Sequence, residues 1–286
     1  MTQRRPYVVA HRGASGDAPE NTAASIALAA EQGADVCEVD ARLTADEVLA
    51  VVHDDTLSRT TDCARVLPDR APWRVADLAW DEVSRLTAGV HDGEPQRVPT
   101  LGEVVTQTRA LGLGLLVELK PESTDGALER AVAGCLHGPS DPTWLAEGVL
   151  LGCFDVASLE RVRDAIGPDA PGLAFILSGL IAHDGVIGHV EPVTPGLAEP
   201  AMTLAALRDG LAARGVAHLG MVLFGIHGTP ATDIDAATVE WLRAGGVELN
   251  LYANEPAEMS ALLGLGLSSV LTDHPGRFVA LRDAAA

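Results

Sequence analysis

The chain has 286 residues, with 20 Lys+Arg against 40 Asp+Glu and a formal net charge of −20. At this length folding buries roughly three quarters of the extended surface, and 47% hydrophobic residues supply an ample core, so intrinsic disorder is excluded. An acidic chain with only four Phe, four Trp and two Tyr lacks both the cations that bind a phosphate backbone and the rings that stack bases, which argues against a nucleic-acid partner.

Cys37, Cys63, Cys135 and Cys153 are scattered, with no C-x-x-C pair. That pattern suits reduced core residues better than a zinc site or a disulfide framework. After Met1 the chain runs quickly into Tyr7-Val8-Val9-Ala10, with no signal-peptide pattern. No apolar run approaches the ~18 residues of a membrane span. No integral membrane segment is expected, and the expected compartment is the cytoplasm.

In chain order, residues 7–13 read as a strand and 21–33 as an Ala-rich helix closed by Gly33. Residues 36–43 and 48–53 read as strand material. From about 58 to 99, around Trp73 and Trp80, the rhythm stops, which predicts a small inserted subdomain. Residues 101–111 are helical, 113–120 a strand and 126–136 a helix; 149–154, 157–166 and 173–177 continue the alternation. A Gly/Pro-rich loop over 179–200 precedes a helix at 201–214 and a strand at 217–224. The last units are 236–244, 247–252, 256–263, 268–271 and 277–283.

About eight strand–helix repeats whose strands are continuous apolar runs indicate a parallel sheet covered by helices. The expected fold is a single α/β domain, a (β/α)8 TIM barrel with a small insertion after the second strand region. An open doubly wound sheet is disfavoured, because the first loop, Gly13-Ala14-Ser15-Gly16-Asp17, lacks the dinucleotide fingerprint.

In such barrels the chemistry collects at carboxyl-terminal strand ends. The first strand ends in His11-Arg12-Gly13, the second carries Glu38-Val39-Asp40, and the next ends in His53-Asp54-Asp55. The strand at 113–120 ends in Glu118-Leu119-Lys120. Residues i and i+2 share a strand face, so Glu38 points with Asp40 and Glu118 with Lys120. Three carboxylates converging at a barrel mouth repel one another unless ion pairs or a hard divalent cation such as Mg2+ or Ca2+ neutralise them. Two histidines beside them have the pKa range of a general acid and a general base. His227 and His274 sit near other strand ends but carry weaker signals. With Arg12 and Lys120 as cations, the set suits an anionic phosphodiester.

These stretches resemble the glycerophosphodiester phosphodiesterase family. The resemblance rests on His11-Arg12-Gly13, Pro19-Glu20-Asn21-Thr22, Glu38-Val39-Asp40, the run from His53-Asp54 to Arg59-Thr60-Thr61, Pro99-Thr100-Leu101-Gly102-Glu103-Val104, Glu118-Leu119-Lys120 and Thr272-Asp273-His274-Pro275. It thins between residues 179 and 246. It implies a divalent metal on Glu38, Asp40 and Glu118, acid–base roles for His11 and His53, and phosphate or substrate contacts from Arg12, Lys120 and Asn254. It also gives Glu20 a supporting place, while Thr22 reads as a helix cap.

Two departures stand out. The family's W-T-x-N strand end reads Leu251-Tyr252-Ala253-Asn254, so Leu251 is expected to replace a tryptophan wall of the alcohol pocket. Its Q-S-F reads Gly152-Cys153-Phe154. The implied reaction is hydrolysis of a small-molecule glycerophosphodiester to glycerol 3-phosphate and an alcohol. The alternatives are lysophospholipase D-like chemistry and non-catalytic phosphoester binding. Charge neighbours in sequence favour His53 as acid, beside Asp54, and His11 as base, beside Arg12.

Overall fold

The computed structural model describes residues 5–137, 142–181, 187–191, 194, 197–199, 202–222 and 234–285. The apolar runs become strands β1 (Tyr7–Ala10), β2 (Val36–Leu43), β3 (Leu49–Val51), β4 (Thr87–His91), β5 (Glu94–Arg97) and β6 (Gly114–Leu119). Then come β7 (Val149–Cys153), β8 (Gly172–Ile181), β9 (Ile187–Glu191), β10 (His218–Val222), β11 (Glu248–Tyr252) and β12 (Ser269–Thr272). Strands β1, β2, β6, β7, β8, β10, β11 and β12 pair in parallel, and β1 closes the ring by pairing with both β2 and β12. Helices such as Ala23–Glu31, Leu101–Leu111, Val156–Ile166 and Ala236–Ala244 connect the strands. The expected (β/α)8 barrel is therefore present.

Outward-facing Val8, Val39, Leu115, Val117, Leu151, Phe175 and Leu249 are buried beneath the helices and form the main core. Each such side chain contributes roughly 1.5–3 kcal/mol of transfer free energy. Inward positions include several small residues, Gly114, Gly172, Ala174 and Gly220, and a cavity of about 620 Å3 opens among them, reaching the amino-terminal strand ends at Tyr7 and Asp35. At Gly172 the Leu150 side chain fills the space a Cβ would take, with Cδ2 2.6 Å from that position.

Four of these strands stand off the ring on which the site is built. β3 pairs antiparallel with β2, Ala41 opposite Val51, so the chain overshoots the mouth, turns at Thr44–Glu47 and comes back down. Beyond it the 58–99 stretch carries the β4–β5 hairpin and a satellite core of Leu57, Cys63, Leu67, Val75, Leu78, Val83 and Leu86, with Trp73 and Trp80 against it. The 179–200 segment, expected as loop, includes β9 paired antiparallel with β8. The short helix Pro142–Gly148 was likewise not legible. The last helix begins at Pro275, where a missing N–H costs nothing, instead of at 277.

Candidate active site

The first site residues are aimed by an unusual turn. His11 N–H donates to Thr272 O at 2.9 Å, which ties β1 to the last ring strand. Arg12 and Gly13 then both adopt left-handed backbone, with φ of 56° and 79°. For a residue with a Cβ this costs about 1–2 kcal/mol. The turn points the Arg12 N–H at Glu38 Oε2, 2.8 Å away, while Ser25 Oγ donates to Arg12 O at 3.0 Å. Gly13 is needed because a Cβ there would overlap Ser25.

Strand register builds the acidic cluster. Asp40 and Glu118 are paired across β2 and β6, and Glu38 lies one inward position below Asp40. All three are buried, and one oxygen of each lies within 4.8 Å of the others. Glu38 Oε1, Asp40 Oδ1 and Glu118 Oε1 are buried and receive no hydrogen bond. Three buried carboxylate oxygens converging on one point are the donor set of a hard divalent cation, so the residues fit the metal implied by the resemblance. Among the described residues this is the one such cluster.

Cations frame it. Arg12 Nε faces Asp40 Oδ2 at 3.4 Å, and Lys120 Nζ pairs with Asp40 Oδ1 at 3.3 Å and with Glu118 Oε1. Burial works against the Asp40 charge, but Lys120 and Arg12 outweigh it and hold the carboxyl below its ordinary value. Burial, reinforced by Asp40 and Glu118, pushes Glu38 upward, and burial with Asp40 pushes Glu118 upward against Lys120. Asn21, which also has a left-handed backbone (φ 57°), donates from Nδ2 to Asp40 Oδ2 at 2.8 Å. Thr22 is the helix cap, its hydroxyl accepting from Ser25 N at 3.3 Å.

The histidines arrive from opposite directions, His11 upward on β1 and His53 downward after β3. His11 Nδ1 lies 2.7 Å from Asp273 Oδ1, and His53 Nδ1 lies 2.7 Å from Asp54 Oδ1. Each pairing leaves Nε2 as the nitrogen free for chemistry. Burial disfavours the His11 charge, but Asp273 and Glu38 outweigh burial and raise its pKa. Burial and Lys120 lower the His53 pKa against Asp40 and Asp54. This reverses the order expected from sequence neighbours. Asp54 is shared with Arg59, which donates to both its oxygens at 2.6 and 3.0 Å, whereas Asp273 reaches His11 from the far end of the chain.

Arg59 also binds Glu20 at 2.6 and 2.9 Å, and Glu20 accepts from Arg12 at 3.0 Å. A continuous ladder therefore runs His53, Asp54, Arg59, Glu20, Arg12, and Glu20 has the supporting place expected for it. Asn254, for which the resemblance implies a substrate contact, is engaged by protein: its Oδ1 accepts from Thr272 Oγ1 and from Asp273 N–H, and its Nδ2 donates to Asp273 and to the Tyr252 hydroxyl.

Leu251 does not line the mouth. It is 1% exposed in the core outside the ring, and Tyr252 is the inward residue, its hydroxyl donating to Asp273 at 2.9 Å and its ring edge-on to His11 at 5.2 Å. The expectation for Leu251 is thus corrected by one position. His274 packs over Gly16 and faces Asp17 at 3.7 Å, outside the acidic cluster. His227 lies outside the described residues. Sequence reading missed Asp273, Tyr252, Arg59 and Asn21 as parts of the site, although all four stood inside quoted motifs.

No helix among the described residues is long and apolar enough to cross a membrane. A profile of the glycerophosphoryl diester phosphodiesterase family matches residues 11–277. The Bacillus subtilis (strain 168) protein YhdW is 39% identical over 161 residues, 55% of this chain and 61% of its own length. A glycerophosphodiester phosphodiesterase of Caldanaerobacter subterraneus is 43% identical over 103 residues, 35% of this chain and 39% of its own. The matches therefore span less than two thirds of these curated relatives. Among solved structures, an Oleispira antarctica phosphodiesterase in complex with the product sn-glycerol-3-phosphate has a TM-score of 0.74 at 27% identity, covering 97% of each chain. A glycerophosphodiester phosphodiesterase from Agrobacterium tumefaciens, at 24% identity and TM-score 0.69 over 96% of this chain and 99% of its own, shares the fold. With the family profile running from His11 of the first strand end to Arg277 of the last helix, the chain belongs to the glycerophosphoryl diester phosphodiesterase family.

Proposed function

We propose that the chain hydrolyses glycerophosphodiesters to glycerol 3-phosphate and the free alcohol, with one divalent cation, Mg2+ or Ca2+, held by Glu38, Asp40 and Glu118. The observation that carries this reading is the convergence of three buried carboxylates beside two imidazoles, each with Nδ1 held by an aspartate. Family membership and the product bound in the Oleispira antarctica relative support it. The cation, when bound, supplies positive charge for the phosphoryl oxygens.

The histidines move the protons. His53, with its lowered pKa, takes the proton of the substrate hydroxyl next to the phosphate as that oxygen attacks phosphorus. His11, with its raised pKa, gives its proton to the leaving alcohol oxygen. Water then opens the cyclic phosphate with the roles exchanged. Arg12 and Lys120 contact the phosphate, and Asn254 acts through Asp273, whose carboxylate it fixes. Four unbridged cysteines favour a reducing compartment, the cytoplasm.

The test is release of glycerol phosphate from a panel of glycerophosphodiesters, with and without chelator. Turnover that chelator abolishes and Mg2+ or Ca2+ restores is the expected result. No release from any member of the panel, or full turnover in protein shown to be metal-free, overturns it.

A further inference from the structure

Lys120 is the single lysine of the chain: of the 20 Lys+Arg, the other 19 are arginine. Its ammonium is placed against Asp40 Oδ1 and Glu118 Oε1, oxygens of two of the three carboxylates that would hold the cation. A metal using the triad and an ammonium pairing with those same oxygens compete for the same space. We propose that Lys120 is a built-in counter-ion that holds the carboxylate triad together in the metal-free protein and is expelled from it when a divalent cation enters. This rests on the metal reading above.

The chemistry favours lysine for this task. Three carboxylates taken out of water repel one another strongly unless compensated. A guanidinium fork would lock a carboxylate through directed, paired hydrogen bonds, whereas an ammonium is a compact point charge on a flexible stem. The contacts reflect that difference. Lys120 Nζ bridges the two carboxylates as one point charge, 3.3 Å from Asp40 Oδ1 and closer still to Glu118 Oε1. Its backbone is fixed, with N–H donating to Ala41 O at 3.1 Å, so only the side chain needs to move. The Phe154 ring already lies 5.6 Å from Nζ, so the ammonium keeps an aromatic partner as it leaves the carboxylates. Arg12 does not compete in this way. It faces the other oxygen of Asp40, Oδ2, which Asn21 already occupies, and Glu20 ties it back at 3.0 Å.

The single lysine makes the test direct. Full-length protein is treated with an amine-acylating reagent with and without saturating Mg2+ or Ca2+, and the Lys120 peptide is quantified by mass spectrometry against the α-amino group as internal reference. Acylation of Lys120 should rise several-fold with the cation. In parallel, calorimetric titration should show that Lys120→Met binds the cation about tenfold more tightly or better, the scale set by removing one nearby charge. Arg12→Met should show a smaller gain. Cation binding to the wild type with unchanged or slower acylation overturns the proposal. An equal gain in the two variants also overturns it, because that reports charge alone. Cation binding to neither wild type nor Lys120→Met overturns the metal reading itself, and the counter-ion proposal with it. The acylation arm uses only the wild type, so it stands whether or not Lys120→Met folds.

Discussion

His11 and Asp273, 262 positions apart, share a 2.7 Å hydrogen bond across the seam where the first and last ring strands meet. The carboxylate is itself held by Tyr252, Asn254 and Ser15, so its position is fixed before any substrate arrives.

From this pair the first prediction follows. Asp273→Asn keeps shape but removes the charge that raises the His11 pKa. We expect kcat to fall on the order of 10²-fold or more, as for other histidines deprived of their carboxylate. If His11 is the acid, its deprotonation sets the alkaline limb of the pH–rate profile, and that limb should move to lower pH in the variant. A lower plateau with an unmoved limb would mean that Asp273 only supports the fold.

The two histidines should be separable by leaving group. His11→Ala and His53→Ala should each lose about 10²–10⁴-fold in turnover of a glycerophosphodiester. A nitrophenyl phosphodiester that keeps the adjacent hydroxyl needs no acid. It should rescue His11→Ala and leave His53→Ala impaired. Rescue of His53→Ala instead reverses the assignment, and rescue of neither refutes the two-histidine mechanism.

Arg59 joins Asp54 and Glu20, and both carboxyls sit below their ordinary pKa values, Asp54 chiefly through Arg59 and Glu20 through Arg59 and Arg12 against burial. A depressed folded-state pKa gives stability that is present above the unfolded value near about 4 and is lost as pH falls through the folded value. Arg59 is 48% exposed, so screening limits its worth to about 1 kcal/mol. Urea midpoints of Arg59→Met and wild type should therefore differ at neutral pH and converge as the medium is made acidic enough to protonate both carboxyls. A constant difference at both ends would show that packing of the arginine stem, and not its charge, is what matters.

Leu251 and Tyr252 should trade the effects expected of them from sequence. Leu251→Ala removes a fully buried side chain and should cost about 2–5 kcal/mol of stability with little change in kcat/KM. Tyr252→Phe should leave the fold intact and change activity, because it removes a donor to Asp273. Thermal melts and substrate profiles of the two variants check both halves.

That one-position correction shows what the sequence could and could not reveal. Glu38 with Asp40, and Glu118 with Lys120, were legible because strand alternation is local and fixes faces within two residues. Leu251 was misplaced because a motif was read by analogy, whereas alternation from Asn250, which hydrogen-bonds Ser269 inside the ring, puts Tyr252 inward. Asp273 was quoted within a motif yet assigned no role, since its function exists only once β12 lies beside β1. The β4–β5 hairpin was illegible for a different reason. Gly89, Val90, Glu94 and Pro95 are exposed, so no alternation marks the strands.

The return path through β3 divides the mouth into two cooperative units. Arg12, Glu38, Asp40, Glu118, Lys120 and His11 stand on or beside ring strands, whereas His53, Asp54 and Arg59 follow a three-residue strand and lean on a separate satellite core. Segments that hang on a small core of their own open locally at lower free energy than the strands of a closed barrel. Amide hydrogens over residues 57–98 should therefore exchange with solvent before those of β2 and β6. Under mild denaturant the barrel can then stand with its carboxylate half assembled and its second histidine swung away, so that turnover fades while the ring remains folded.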